Sequence, residues 1–546
     1  MFKKICSFYN EHFKRPQYII SYVLFILFSY GFSLSRNTIN IDDFAAMHYG
    51  GLHGNMMSRG RWGDVLYNFL INSSDFSPYI YKFVATALMA TAGFLFACLL
   101  YSFNDGKKKI PTIAYMLTSS IFVSSPWIFD FWRFSGTELI VAADMVVVFA
   151  SLLHLIYGRR KYIYKILITG CAMSVVASSY EGALVLYVFM ALFFVFYKYC
   201  INNKSIVSKI DWVKDGSKLI PSAVLAVVLR IVIAKILQLI LGVTPTMASN
   251  SQIVWGNFSI QNAQNFLSEF LYQYVLFLQY FPVLLFVIAL ILFMIVSLFL
   301  CFKNNRILPG LLGFLCVLSI FSLEILSFNP CTMAYRTKQS IIAFIAITIF
   351  IVFSMLVSKK KIIIRLFSAF AVMLTIYQAS YLSQLFEVWN LRSDNEVSVV
   401  SQIGFNIKSD FDDKKVMLAG TYEFSDYINK NIMFGTAKNN ITNQLFRNIS
   451  ENYGFSEWTI MQDFSSVINW ANCSQYEIDG ENMIERFFSY CGYDLDIENM
   501  KNEEMLIKYS KIAEDEKMKP YEAKDMGDYI LVYLGPLKNP SKYFYK

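Results

Sequence analysis

Charge is scarce in this sequence: of 546 residues only 16% are Asp, Glu, Lys or Arg, against 56% hydrophobic. A soluble chain of this length needs far more charge to cover its surface, so a water-soluble globular protein is excluded. Histidine is rarer still. His12, His48, His53 and His154 are scattered, and no His/Cys/Asp cluster has metal-ligand spacing. His48 and His53 share one acidic loop, which is weak ground for a metal. No Gly-rich loop is present to cradle a nucleotide phosphate. No small-residue cleavage site follows the first apolar run, which therefore reads as a retained helix rather than a signal peptide. No clear internal repeat appears either, and that disfavours a carrier built from repeated halves.

What is abundant is apolar sequence gathered into runs of roughly 18 to 24 residues, the length that crosses a bilayer core as a helix. The first is Tyr18 to Leu34, preceded by Lys3, Lys4, Lys14 and Arg15. Then follow Ile80 to Tyr101, Ile110 to Phe129, Glu138 to Tyr157, Ile163 to Ser179 and Ala183 to Tyr199. The later runs are Leu219 to Leu241, Phe281 to Phe302, Ile307 to Phe328, Ser340 to Val357 and Ile362 to Leu385. That is about eleven spans. The 50 Phe and 35 Tyr suit packing and interfacial anchoring in such a protein.

Alternate loops carry the basic residues: Lys107 to Lys109, Arg159 to Lys161, Lys198 to Lys218, Lys303 with Arg306, and Lys359 to Lys361. All fall on the side of the basic N-terminus, which the positive-inside rule makes cytoplasmic. The net charge of +8 is explained by this distribution and calls for no nucleic acid. An odd number of spans then puts the C-terminal segment outside, on the face away from the cytoplasm. From about Asn390 to Lys546 polar residues become frequent, and short apolar stretches at Val416 to Ala419 and Tyr529 to Leu534 read as buried strands. Gln444 to Asn452 and Ile460 to Trp470 have helical periodicity. The expected fold is an α-helical polytopic membrane protein, residues 1–389 with outer loops 36–79, 242–272 and 328–339, followed by an α/β periplasmic domain, 390–546. Six of the nine cysteines lie in spans or on the cytoplasmic side, whereas Cys473 and Cys491 sit together in the outer domain and suit a disulfide.

Ionisable residues inside the spans concentrate toward the outer half. Asp144 and Lys235 suit either an ion pair between helices or a cavity, and Glu181 occupies the tight turn Ser178-Ser179-Tyr180-Glu181-Gly182. Glu324 lies near the outer surface, and Arg230 lies deeper. The first outer loop pairs Asp42-Asp43 with Ser58-Arg59-Gly60-Arg61-Trp62. A carboxylate can take the proton from an attacking sugar hydroxyl, and guanidinium groups can hold a phosphate leaving group. By residue type alone the acids fit a helix N-cap equally well. Nucleotide sugars are cytoplasmic, so a transferase working outside needs its donor carried across on a lipid. A sugar on a polyprenyl phosphate meets that need.

The first span followed by Asp42-Asp43, the Ser58 to Trp62 stretch and the Ser179-Tyr180-Glu181-Gly182 turn together resemble the bacterial, often phage-encoded, serotype-converting O-antigen glucosyltransferases. These are similar to the wider GT-C class of multi-span glycosyltransferases. The resemblance covers roughly Met1 to Leu385. It implies inverting transfer of glucose from undecaprenyl-phosphate glucose to a sugar of the O-antigen polysaccharide or a lipid-linked acceptor. Asp42 or Asp43 would be the base, and Arg59 and Arg61 would hold the donor phosphate. Arg336 and Lys338 form a second phosphate candidate, with Glu181, Asp144 and Lys235 in support. No cofactor is called for, and a divalent cation is left open. The amide-rich loop 242–272 with Trp255, and Trp458 and Trp470 further on, are the aromatic and amide groups suited to sugar. The rival readings are a flippase or transporter for a lipid-linked sugar, an O-antigen polymerase, or another GT-C transferase. A large outer domain and charges gathered toward one face favour a one-sided active site over a through-path.

Overall fold

In a computed structural model the chain divides into two compact units, one of Met1–Ser35 with Gly51–Gln384, the other of Arg36–Gly50 with Leu385–Lys546. The structure describes residues 1–36, 38, 53–70, 78–105, 108–132, 135–202, 209–245, 260, 281–304, 306–327, 338–357, 359–410, 414–422, 468, 477–478, 481–498 and 502–537.

The first unit is helical: α1 (Phe2–Phe8), α2 (Pro16–Ser35), α3 (His53–Ser58), α4 (Trp62–Leu70), α5 (Pro78–Asn104), α6 (Thr112–Val123), α7 (Phe129–Trp132), α8 (Ser135–Tyr157) and α9 (Tyr162–Ser179). It continues with α10 (Glu181–Phe196), α11 (Lys209–Leu241), α12 (Phe281–Asn304), α13 (Leu308–Ile320), α14 (Ser322–Ser327) and α15 (Gln339–Leu356). Helix α16 (Lys361–Asp410) passes from the first unit into the second. Among the described residues ten helices are long and apolar enough to cross a membrane. The protein is therefore a membrane-embedded, polytopic helical protein.

The ninth of the eleven expected spans, Ile307 to Phe328, is not a single helix. It is α13, of 13 residues, and α14, of 6, separated at Phe321 with φ −102° and ψ 15°. Just before the break Ser319 Oγ returns a hydrogen bond to the Cys316 carbonyl at 2.7 Å, a side chain competing with the helical ladder. Hydropathy is blind to that competition. The run near Ile110 to Phe129 is likewise interrupted, by a 3₁₀ turn at Pro126–Ile128. Proline lacks the N–H that a continued helix needs. The last apolar run extends as α16 to Asp410, so the composition change near Asn390 falls inside a helix.

Helix α5 lies along α8, α9 along α11, and α6 along α15. Aromatic rings fill the interior, with Phe96 and Phe122 stacked at 4.7 Å and Phe149 edge-on to Phe122 at 5.6 Å. One end of this bundle gathers the basic loops. The N-terminal amine donates to the Tyr157 carbonyl at 3.1 Å, and Lys4 pairs with Asp105 at 2.7 Å. Lys108 reaches Ser354 Oγ at 3.1 Å, Asn202 reaches the Phe103 carbonyl at 3.0 Å, and Asp215 sits between Lys198 and Lys218.

In the second unit four strands form one sheet: β1 (Lys415–Ala419), β4 (Ile497–Glu498), β5 (Glu522–Asp525) and β6 (Tyr529–Tyr533), in the order β4-β1-β6-β5. A separate hairpin pairs β2 (Glu477–Ile478) with β3 (Glu481–Asn482). β1 is parallel to both β4 and β6, and β5 is antiparallel to β6. Two helices, α17 (Met483–Tyr490) and α18 (Glu503–Asp515), complete the described part. Asn502 caps α18 by accepting from the Met505 N–H at 2.8 Å. Leu506 and Ala513 of α18 pack on Met417, Ala419, Leu531 and Tyr533 of the sheet. Cys491 is a half-buried free thiol whose pKa burial pushes up to about 11, and Cys473, the partner expected for it, lies outside the described residues. The helical periodicities at 444–452 and 460–470 fall there too, apart from residue 468.

Candidate active site

The Ser58-Arg59-Gly60-Arg61-Trp62 stretch is a helix stop followed by a helix start. Gly60 N–H bonds the Met57 carbonyl at 3.0 Å and Arg61 N–H bonds the Met56 carbonyl at 2.8 Å, the paired bonds of a Schellman cap on α3. Gly60 takes φ +73°, the left-handed conformation that cap requires. Gln238 of α11 donates to the Met57 and Ser58 carbonyls at 3.0 and 3.1 Å, satisfying further acceptors that the helix end leaves open. The Trp62 indole N–H reaches the Arg230 carbonyl, also on α11, at 3.4 Å. The α3–α4 segment is thereby fixed to α11 at two points.

Gly63 then lets α4 close on the end of α9. A Cβ there would stand 2.4 Å from the Val175 carbonyl oxygen and 2.5 Å from Ser178 Oγ. This approach sets Asp64 and Tyr67, three residues apart on one helix face, against the buried junction of α8, α9 and α10. The Tyr67 hydroxyl donates to Asp144 Oδ1 at 2.9 Å and Ser179 Oγ donates to Asp144 Oδ2 at 2.6 Å. A single residue, Tyr180, joins α9 to α10, and Glu181 opens α10. Two guanidinium groups converge on the Glu181 carboxylate, Arg230 at 2.6 Å and Arg61 at 3.6 Å. Arg61 also lies 4.0 Å from Asp64 and 5.6 Å from the centre of the Tyr180 ring.

The electrostatics follow from burial. Asp64 is 3% exposed, and its Oδ1 has no hydrogen-bond partner among the described residues. Burial pushes its carboxyl up to about 8, against the pull of Arg61 and with the repulsion of Glu181. Burial works against the charge on Arg61, but Glu181 and Asp64 more than offset it and hold the guanidinium above its ordinary value. Burial and the neighbouring Asp144 keep the Tyr67 phenol protonated. The cluster thus combines fixed positive charge, a carboxylate shared between two guanidiniums, and a carboxyl able to exchange a proton near neutral pH.

Of the residues singled out from sequence, Arg61, Asp144 and Glu181 come together here from widely separated stretches. Lys235 does not join them. It is exposed on α11, and Asp144 is bonded by Tyr67 and Ser179, so of the two readings of Asp144 and Lys235 the ion pair between them is not the one seen. Arg59 is exposed beside the cap, and Lys338 is buried at the start of α15. Asp42, Asp43 and Arg336 lie outside the described residues, as do Trp255, Trp458 and Trp470, and so does the side chain of Glu324. Among the described residues no group of three or more His, Cys, Asp or Glu could hold a metal ion. Asp64 and Tyr67 were not foreseen. Their signal was the spacing Arg61, Asp64, Tyr67, which puts all three on one helical face.

This charged cluster sits at the far end of α9 from the basic loops. Arg159 to Lys161 precede α9, whereas Ser179 closes it. No curated protein and no solved structure matches the chain. The family described as glucosyl transferase GtrII matches residues 31–358, which takes in the whole α3–α11 segment and more than half of the sequence. The chain belongs to the glucosyl transferase GtrII family, and it is a membrane-embedded glucosyltransferase.

Proposed function

We propose that the protein transfers glucose, with inversion, from undecaprenyl-phosphate glucose to a sugar of the O-antigen, on the periplasmic side of the inner membrane. The observation that carries this reading is the family match over a segment whose charge cluster stands at the opposite end of α9 from the basic loops. Under the positive-inside rule those loops are cytoplasmic, so the cluster faces the periplasm. Nucleotide sugars are not available there, and a lipid-linked monophosphate sugar is the activated donor that chemistry requires. The polyprenyl phosphate departs as the glucosyl bond to the acceptor oxygen forms, and a carboxylate takes the acceptor hydroxyl proton. Asp42 or Asp43 is the proposed base, and Arg59 and Arg61 the proposed phosphate contacts, with Arg336 and Lys338 as a second pair. A monophosphate leaving group held by guanidinium needs no cofactor, so transfer should persist in excess EDTA.

The test is expression in a smooth strain that supplies the lipid-linked glucose, followed by NMR and mass spectrometry of the polysaccharide. The reading expects a new hexose branch that disappears in Asp42→Asn or Asp43→Asn at normal membrane abundance. A branch persisting in both variants would overturn the acidic-pair mechanism and turn attention to Asp64, Asp144 and Glu181.

A further inference from the structure

Two guanidinium groups on one carboxylate leave an excess positive charge at neutral pH, because the second acid near Arg61, Asp64 at 4.0 Å, is buried and holds its proton. Arg230 reaches Glu181 Oε1 at 2.6 Å while Arg61 stands 3.6 Å from Glu181 Oε2. In a closed structural ion pair both partners are sequestered. Here the side chains of Arg61, Arg230 and Glu181 are 28%, 28% and 27% exposed, so the cluster can be reached from outside the packed helices. Glu181 is also the first residue of the 16-residue helix α10, where the helix dipole adds positive potential at the same spot. On α11 the neighbours of Arg230 are the exposed apolar side chains Val227, Val228 and Ile231. Helix α11 is the least buried of the ten candidate spans. A partly exposed cationic cluster thus lies beside an apolar surface that a bilayer would cover. An isoprenyl monophosphate has that same pairing of an anionic head with an apolar chain.

We propose that Arg61 and Arg230 together form the phosphate site for the lipid-linked donor, and that Glu181 is an internal anion occupying that site until the phosphate displaces it. The proposal rests on the donor reading above and adds Arg230 as a phosphate-binding residue and Glu181 as its competitor. Each guanidinium offers a planar fork of N–H donors suited to two phosphate oxygens. The carboxylate shows where such an oxygen sits. Glu181 holds the two arginines in place while the site is empty of donor, and it weakens donor binding by as much as its own hold on them.

That competition gives substitutions of opposite sign, which a purely structural ion pair would not. Binding of farnesyl phosphate, a short isoprenyl monophosphate, is measured on the full chain in lipid nanodiscs, with farnesol as the control lacking phosphate. Arg230→Ala and Arg61→Ala are each expected to weaken farnesyl phosphate roughly tenfold or more. Glu181→Gln should tighten it several-fold, Arg230→Lys should fall between, and farnesol should respond to none of them. Arg230→Lys keeps the charge, and so guards against a fold that fails for want of any cation. Glu181→Gln weakening binding alongside Arg230→Ala, or Arg230→Ala leaving affinity unchanged, would overturn the proposal. Transfer of glucose from a polyprenyl-phosphate donor is assayed separately on the same preparation. Its failure alongside the expected binding pattern would end the donor reading and leave the phosphate site standing.

Discussion

Asp64 is a buried carboxyl outside the spans. Its folded carboxyl titrates near 8, above the ordinary 3.8, because burial disfavours the charge more than Arg61 restores it. The folded chain therefore binds this proton more tightly than the unfolded chain does. The stability it contributes is full below the ordinary value and is lost as pH rises through about 8. Thermal unfolding followed between about pH 5 and pH 9 should show the midpoint falling across that window. In Asp64→Asn the fall should shrink, because the amide keeps the shape without the ionisation. An unchanged slope would show that some other group sets the alkaline limit. Arg61 and Glu181 were legible from sequence because charges at a membrane edge are conspicuous. Asp64 was not, since one Asp in a polar loop looks like any other until burial is known.

At the scale of elements, the site depends on how closely α4 lies against the end of α9. Gly63→Ala would drive a methyl group to within 2.4 Å of a backbone oxygen, and backbone cannot swing aside as a side chain can. The substitution should cost about 1–3 kcal/mol. It should also reduce transfer more than membrane abundance, because separating α4 from α9 breaks the Tyr67 to Asp144 bond. Equal activity per folded molecule would refute that coupling. Most spans were visible as apolar runs, and so was the tight turn between α9 and α10. The strand pair was visible too: β1 and β6 lie where short apolar stretches interrupt polar sequence. The break at Phe321 and the reach of α16 to Asp410 were not. The first leaves the apolar run uninterrupted, and the second has no apolar pattern to announce it. The Schellman cap was half legible: the glycine was in view, but the cap needs a helix on its N-terminal side.

For the whole molecule, the number of crossings decides which side the C-terminus occupies. Among the described residues ten helices qualify by length, and an even count returns the chain to the side of its N-terminus. Helices α13 and α14 with Phe321 between them cover residues 308–327, about the length of one crossing despite the break. The proposed periplasmic placement of 390–546 needs that pair to cross. Alkaline phosphatase fused after Lys546 should be active and the same reporter fused after Asn202 inactive. An inactive C-terminal fusion would mean that α13 and α14 do not span, and would place the second unit in the cytoplasm.

The single-residue link at Tyr180 binds the chemistry to chain length. Ser179 on one side of it serves Asp144, and Glu181 on the other serves both arginines, so no slack separates the two halves of the cluster. Elsewhere an extra loop residue is absorbed at the surface. Here it would shift one half of the network against the other, by up to about 100° per residue if taken into helix. A substitution at this corner removes one contact, whereas an insertion or deletion would uncouple the hydrogen-bonded acid from the arginine pair.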